Sequence, residues 1–267
     1  MLECVINVSE GRDARLVGRL AEAVAGVPGG RLLDIHSDAD HNRSVFTLTG
    51  VDAPRALTRR CVELLDIAGH SGVHPRLGVV DVVPFVALDD SSHTDALAAR
   101  DGFAQWAADE LRLPVFLYGP ERTLPDVRRG AWKTLQPDLG PHRPHPSAGA
   151  VCVGVRPVLI AYNVLLATPD LTIAKGIAAR VRRPGLRTLA FMVGDAAQVS
   201  MNIVDADHIS VSTAYDAVAA EATVAGTRVV AAELVGLITE RHLQMNDPSR
   251  WVLLDIGPDR TVESRLK

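Results

Sequence analysis

The sequence predicts an α/β fold built as two subdomains. Three observations predict it. Strand-like and helix-like segments alternate in both halves of the 267-residue chain, the pattern of sheets covered by helices. A stretch rich in Pro and Gly, residues 119–149, interrupts the alternation. Hydrophobic residues make up 47% of the chain and charged residues 22%, which supplies apolar side chains for two modest cores. With aromatics at only 4%, those cores must be built mainly from Ala, Val, Leu and Ile.

The elements follow in order. "ECVINV" reads as a short strand. Residues 13–25 carry Leu16, Val17, Leu20, Ala21 and Val24 as a helical stripe. "RLLDIH" and "SVFTLTG" are strands, and a helix starts near Asp52 and Pro54, with Leu57, Cys61, Leu64, Leu65 and Ala68 on one face, and stops at Gly69. "LGVVDVVPFVAL" is a buried strand in which Pro84 marks an irregularity or a sheet edge. A long helix over residues 92–111 precedes the strand "PVFLYG". Residues 119–149 hold one short helix at most, and so long a loop-rich stretch is a functional loop or an inter-domain crossing. The pattern resumes with a strand "VCVGVRPVLIAYNVLL", a helix over 169–182, strands "RTLAFMV" and "AQVSMNIVD", a helix over 212–225 and the strand "TRVVAA".

A formal net charge of −4 provides no basic field to recruit nucleic acid or a membrane surface. Cys4, Cys61 and Cys152 are far apart and sit in apolar stretches, so buried free thiols in a reducing compartment are expected rather than a disulfide framework or zinc site. The opening "MLECVINVSEGRD" has no apolar signal core. No apolar stretch is long enough to span a bilayer. A cytoplasmic protein is expected.

The candidate chemistry gathers in three segments. "HSGVHPRLGVVD", residues 70–81, puts two histidines and an arginine on a Gly/Pro-punctuated connection just before a buried strand. The His70/His74 spacing would suit zinc on a helix, but Gly72 and Pro75 argue against a helix and no glutamate lies between the two. A polar loop topping a strand end places side chains at the mouth of a cleft, where one imidazole titrates near neutrality. "HSDADHNR", residues 36–43, begins like a calcium loop, yet Arg43 replaces the required glycine and the closing glutamate is missing, so a polar turn is the simpler reading. "GPHRPHPSAGA", residues 140–150, is either a stiff linker or a ligand-lining crossing with cations for an anionic ligand. No nucleotide-binding glycine motif, GxSxG or CxxC pattern is present.

Several segments taken together resemble one family. "ECVINVSEG" is similar to the opening motif of glutamate formiminotransferases, and "LLDIHSDADHNRSVFTLTG", "HSGVHPRLGVVDVVPF", "LYG", "GPHRPHPSAGA", "LIAYNVLL", "AQVSMNIVD" and "ELVGL" match later segments in the same order. The match resembles the form that stands alone in bacteria, without the cyclodeaminase found in animals. The resemblance implies two subdomains, residues 1–157 and 158–267, each a mixed sheet with helices on its outer face, with a ligand tunnel between them and assembly as a homodimer. It implies transfer of a formimino group from N-formimino-glutamate to N5 of tetrahydrofolate, or of a formyl group in related members, with tetrahydrofolate as co-substrate and no metal. The family's catalytic histidine falls on His74. Its folate-binding segment falls on Gly140, Pro141, His142, Arg143, Pro144, His145, Pro146, Ser147, Ala148 and Gly149.

Transfer needs a proton carrier, because the glutamate nitrogen cannot leave as an amide anion and N5 must lose a proton; one histidine can do both. Arg43 and Arg76 suit the carboxylates of glutamate or folate. Asn7, Glu10 and Asn42 are polar neighbours, and His36, which stands where animal members carry an aspartate, is expected to tune or position His74. Two other readings stay open: an enzyme of the same fold acting on another amine, and a non-catalytic folate-binding protein.

Overall fold

The computed structural model describes residues 1–89 and 91–267. The chain divides into two compact units, Met1–Arg156 and Pro157–Lys267.

The first unit runs β1 (Leu2–Val8), α1 (Ala14–Glu22), β2 (Arg31–Asp38), β3 (Arg43–Thr49), α2 (Asp52–Leu64), β4 (Val80–Ala87), α3 (His93–Glu110), β5 (Val115–Tyr118), α4 (Leu124–Gly130) and β6 (Val151–Val155). The strands form one six-stranded sheet in the order β2-β3-β1-β4-β6-β5. It is mixed: β2, β3, β1 and β4 pair antiparallel, and β4, β6 and β5 pair parallel. Alternation along the strands sorts side chains to two faces. Ile6, Phe46, Leu48, Val83, Phe85, Val151 and Val153 pack with Val17 and Leu20 of α1, Leu57 and Cys61 of α2, and Phe103 and Ala104 of α3. Val82, Phe116, Tyr118 and Cys152 face the opposite way and pack under Val127 of α4 and Ala131.

Local chemistry fixes where the helices begin. Asp13 accepts from the backbone N–H groups of Arg15 and Leu16 at the start of α1. Ser92 with Asp95 and Thr123 with Asp126 form reciprocal capping boxes on α3 and α4. The second helix ends at Leu64 rather than at Gly69, because Leu65 turns extended. Pro84 is neither at an edge nor at the irregularity. Its strand lies inside the sheet, the β1–β4 pairing passes from Cys4↔Phe85 to Asn7↔Val82, and the register shift comes at Asn7/Val8.

The run read as one strand, residues 151–166, is two strands in different sheets: β6, and β7 (Ile160–Leu166) beyond Arg156 and Pro157. Proline removes a ladder donor and biases the residue before it, which breaks the run there. The second unit continues with α5 (Leu171–Val181), β8 (Leu186–Val193), β9 (Ala196–Ile203), α6 (Val211–Val224), β10 (Val229–Val235), α7 (Glu240–Leu243) and α8 (Val262–Leu266). Its four-stranded sheet, β10-β7-β9-β8, is antiparallel throughout. Tyr162, Val164, Val199 and Met201 pack with Ile177 of α5 and Ala214 and Val218 of α6. Among the described residues no helix is long and apolar enough to cross a membrane.

Candidate active site

The connection from α2 to β4, residues 65–79, is held at both ends by close backbone approach. A Cβ on Gly72 would lie 2.2 Å from the His41 carbonyl oxygen, so only glycine lets this loop lie against the β2–β3 turn. Asn42, at φ 46°, ties the two together and to a third segment. Its Oδ1 accepts from the Gly11 N–H at 3.0 Å and its Nδ2 donates to the Ser71 carbonyl at 3.0 Å. At the other end residues 147–150 clamp the loop. Ile67 donates to the Ser147 carbonyl at 2.7 Å, Val79 to Ala148 at 3.0 Å and Ala150 to Leu77 at 3.0 Å. Gly149 makes the fit possible: its φ is 72°, and a Cβ there would meet the Leu77 oxygen at 2.3 Å.

His74 sits half-buried in the middle of this loop. Its Nδ1 lies 3.1 Å from Arg43 Nη1 and 2.8 Å from the Pro75 carbonyl oxygen. A guanidinium only donates and a carbonyl only accepts, so one protonation state of Nδ1 satisfies only one of these neighbours. Burial first, and the Arg43 charge second, push His74 down to about 3. That lies well below the near-neutral titration expected from the sequence and leaves the imidazole neutral at neutral pH. The His41 ring lies 6.1 Å from the His74 ring, centroid to centroid.

Behind His74 is an ion cluster the sequence reading missed. Asp81 is fully buried. Its Oδ1 accepts from the Leu77 N–H at 2.8 Å and from Arg128 Nη1 at 2.8 Å. Its Oδ2 accepts from Arg43 Nη1 at 2.9 Å and, in a short contact, from Arg128 Nη2. Burial by itself would raise the Asp81 carboxyl; Arg43, Arg128 and the Leu77 N–H outweigh it and hold the group below the usual carboxylate range. Arg43 also donates from Nε to Asn7 Oδ1 at 2.9 Å. Two guanidiniums on one carboxylate leave a net positive charge beside the imidazole, an arrangement that favours an anionic ligand. Arg128 could not be found from spacing, since α4 has to dock before it points at Asp81. Asp81 carried a signal: a lone charge inside the apolar run "GVVDVVPF" must find a buried partner.

The other expected residues take different places around this loop. Asn7 and Arg43 join the His74 cluster directly. Arg76 holds the loop's shape: it donates to His70 Nδ1 at 2.5 Å, to the Gly72 carbonyl at 2.6 Å and to the His74 carbonyl in a short contact. That makes His70 Nδ1 an acceptor, so His70 Nε2 carries the proton and donates to the Asn42 carbonyl at 2.9 Å. Glu10 is used in the turn before α1, where Oε1 accepts from the N–H groups of Arg12 at 2.7 Å and Asp13 at 2.8 Å. His36, on β2, stands opposite Val45, which also pairs with Asn7. It therefore shares the sheet face of Asn7, two strands further out.

Residues 140–149 lie inside the first unit rather than linking the two. His145 and Gly149 exchange backbone hydrogen bonds at 2.8 and 3.0 Å, and His145 Nδ1 accepts from the Ala148 N–H at 3.0 Å. His142, Arg143, Pro144 and Pro146 are exposed, Pro141, His145 and Ser147 half-buried, and Ala148 and Gly149 buried. The last two anchor the segment to the His74 loop, and Gly140, at φ 79°, starts it. Among the described residues no group of three or more His, Cys, Asp or Glu is placed to hold a metal ion.

Comparison with known proteins bears on what this cluster does. Residues 1–156 match the family model described as the formiminotransferase domain, N-terminal subdomain, and residues 161–248 match the formiminotransferase domain. The chain is 34% identical to a glutamate formimidoyltransferase of Streptococcus pyogenes, over 92% of this chain and 94% of that one. A glutamate formimidoyltransferase of Thermoplasma acidophilum is also 34% identical, over 91% and 89%. A formimidoyltransferase-cyclodeaminase of Gallus gallus is 34% identical over 91% of this chain, which spans 51% of that protein.

Proposed function

The chain belongs to the formiminotransferase family of one-carbon transferases, and from that premise we propose that it moves a formimidoyl group between N-formimino-glutamate and N5 of tetrahydrofolate, with His74 carrying the proton. The observation that supports this reading is the contact of His74 Nδ1 with Arg43, itself tied to buried Asp81.

The chemistry follows from that contact. With Nδ1 accepting from Arg43, the neutral ring carries its proton on Nε2, and Nε2 is assigned the transfer. As N5 bonds to the amidine carbon and the carbon–nitrogen bond to glutamate breaks, Nε2–H gives its proton to the departing amine and takes the N5 proton in its place, so the ring ends as it began. The Arg43 charge beside Nδ1 stabilises the electron density left on the ring as that proton departs, which makes Nε2–H a stronger acid. A donor carboxylate near Arg43 meets the same positive charge. The donor's carboxylates are thus read by the same cluster that tunes the imidazole.

The exposed Arg143 and the neighbouring His142 supply cations for the glutamate tail of folate, while His145 and Ser147 line the segment nearer the His74 loop. The protein works in the cytoplasm as a homodimer and needs no metal in this reading. Incubation with tetrahydrofolate and N-formimino-glutamate, followed by acid, tests it: absorption of the 5,10-methenyl species is the expected result. Formation of product only from formyl-glutamate would reassign the donor, and no product from either would refute the proposal.

A further inference from the structure

We propose that Asp81 and Arg128 are positioning residues: together they hold the Arg43 guanidinium against His74 Nδ1, and so set which ring nitrogen carries the proton. The inference rests on the reading of His74 as the proton carrier.

Three observations lead to it. The first is a bulge. Asn7 pairs with Val82 but Val8 pairs with Val80, so Asp81 is the extra residue. Val80, Val83 and Phe85 enter the core under α1–α3 while Val82 faces α4. In a regular strand Asp81 would share the face of Val83 and Phe85. The bulge re-aims it toward Arg43 and Arg128, a use bulges have beside active sites.

The second is the division of the carboxylate. Arg128 takes one hydrogen bond on each Asp81 oxygen, and Leu77 takes a second on Oδ1. Only one position on Oδ2 remains for Arg43 Nη1, the atom that also reaches His74. Without Arg128, Asp81 would be open to a two-bond fork from Arg43, the preferred geometry of such pairs. Forming that fork turns Nη1 away from the imidazole.

The third is cost. A buried ion cluster is commonly no more stable than apolar residues of the same volume, so the fold alone does not call for it. Helix α4 is capped at both partners of its box and buries Val127, and the Arg128 side chain donates to Asp81 from both Nη atoms.

The charged and titratable groups facing His74 are Arg43 from β3, Asp81 from β4, Arg128 from α4, Arg76 from its own loop and His41 from the β2–β3 turn. Only the first three form the chain proposed here.

The test uses the full chain with Arg128→Gln and Arg128→Lys, and two readouts. Nitrogen-15 signals of the His74 ring, assigned with His74→Gln, are recorded without substrate at neutral pH. In Arg128→Gln the ring is expected to shift toward the form protonated on Nδ1 and bonded to Pro75. Transfer kinetics should show kcat down by about 10²-fold, the size of effect a misplaced catalytic group produces, with the KM for tetrahydrofolate changed by less than about twofold. Arg128→Lys should fall between parent and Gln variant in both readouts. Ring signals in Arg128→Gln identical to the parent's would overturn the proposal, as would a kcat loss unaccompanied by any ring shift. If Arg128→Gln does not fold, a Lys variant with the parent's ring spectrum overturns it equally. Because the spectra need no substrate, a parent that transfers nothing would refute the proposed function while leaving this contact tested.

Discussion

Replacing Asp81 by Asn tests the electrostatics of the cluster without changing its volume. Asp81 is fully buried and accepts from Leu77, Arg43 and twice from Arg128. An Asn keeps one acceptor for the Leu77 N–H but turns an NH2 group toward guanidinium donors and leaves two half-buried cations uncompensated. Breaking a buried pair in this way costs about 3–5 kcal/mol. The assay is urea unfolding followed by tryptophan fluorescence in a Trp251→Phe background. Of the three tryptophans, Trp106 and Trp132 then remain, both in the first unit, so the signal reports the unit that holds the cluster. The pH dependence has a definite sign. A carboxyl held below its usual range contributes stability that is present above the unfolded-state value, near ~3.9, and is lost as pH falls through the folded-state value. The gap between parent and variant should therefore stay constant from neutral pH down to about pH 5 and shrink only in stronger acid. A gap below about 1 kcal/mol, the range of exposed pairs, would refute the reasoning. So would a gap that closes between neutral pH and about 5, because the buried carboxyl would then be protonated there.

Other expectations concern the same site and its surroundings. Since His74 is pushed down to about 3 by burial and Arg43, kcat/KM, which reports the free enzyme, should show no His74-dependent acid limb near the ordinary imidazole value of about 6.5. A limb there that disappears in His74→Gln would contradict it. Arg143→Glu should weaken folate polyglutamate more than monoglutamate in a binding titration, because the exposed Arg143 is assigned to the tail; equal loss for both would remove that assignment. The thiols Cys4, Cys61 and Cys152 are buried, and burial raises each, Cys152 to about 12. A thiol reagent should label them only as fast as the fold opens, with labelling accelerating in step with urea; prompt labelling of the native protein would count against their packing.

Much of the fold was legible because its elements carry strong periodicity. The stripe of Leu16, Val17, Leu20 and Val24 and the run around Val82 to Val86 leave few alternatives to a helix and a buried strand. What misled was continuity. The apolar letters from Val151 to Leu166 read through Arg156 and Pro157, although the chain changes sheet there. The 140–149 segment looked like a crossing because Pro and Gly mark loops wherever they run, whereas hydrogen bonds from Ile67 to Ser147 and from Val79 to Ala148 fix it inside the first unit. At the site, Asn7, Arg43 and His74 were named from sequence and do meet. Glu10 and Arg76 were named as neighbours of the ligand and are instead occupied with backbone and loop partners. Asp81 and Arg128 were missed, because a one-residue bulge and the docking of a short helix decide where those charges point, and neither is written in residue spacing.

The central claim is that His74 carries the proton in formimidoyl transfer, and single-turnover kinetics of His74→Gln measures it most directly. Glutamine is polar and similar in size but does not titrate. With saturating tetrahydrofolate and N-formimino-glutamate, the rate of transfer should fall by about 10²–10⁴, the usual worth of a positioned acid–base group. The binding constants for both substrates should change little, since the loss belongs to the chemical step. Transfer by His74→Gln at the parent's rate would contradict the account.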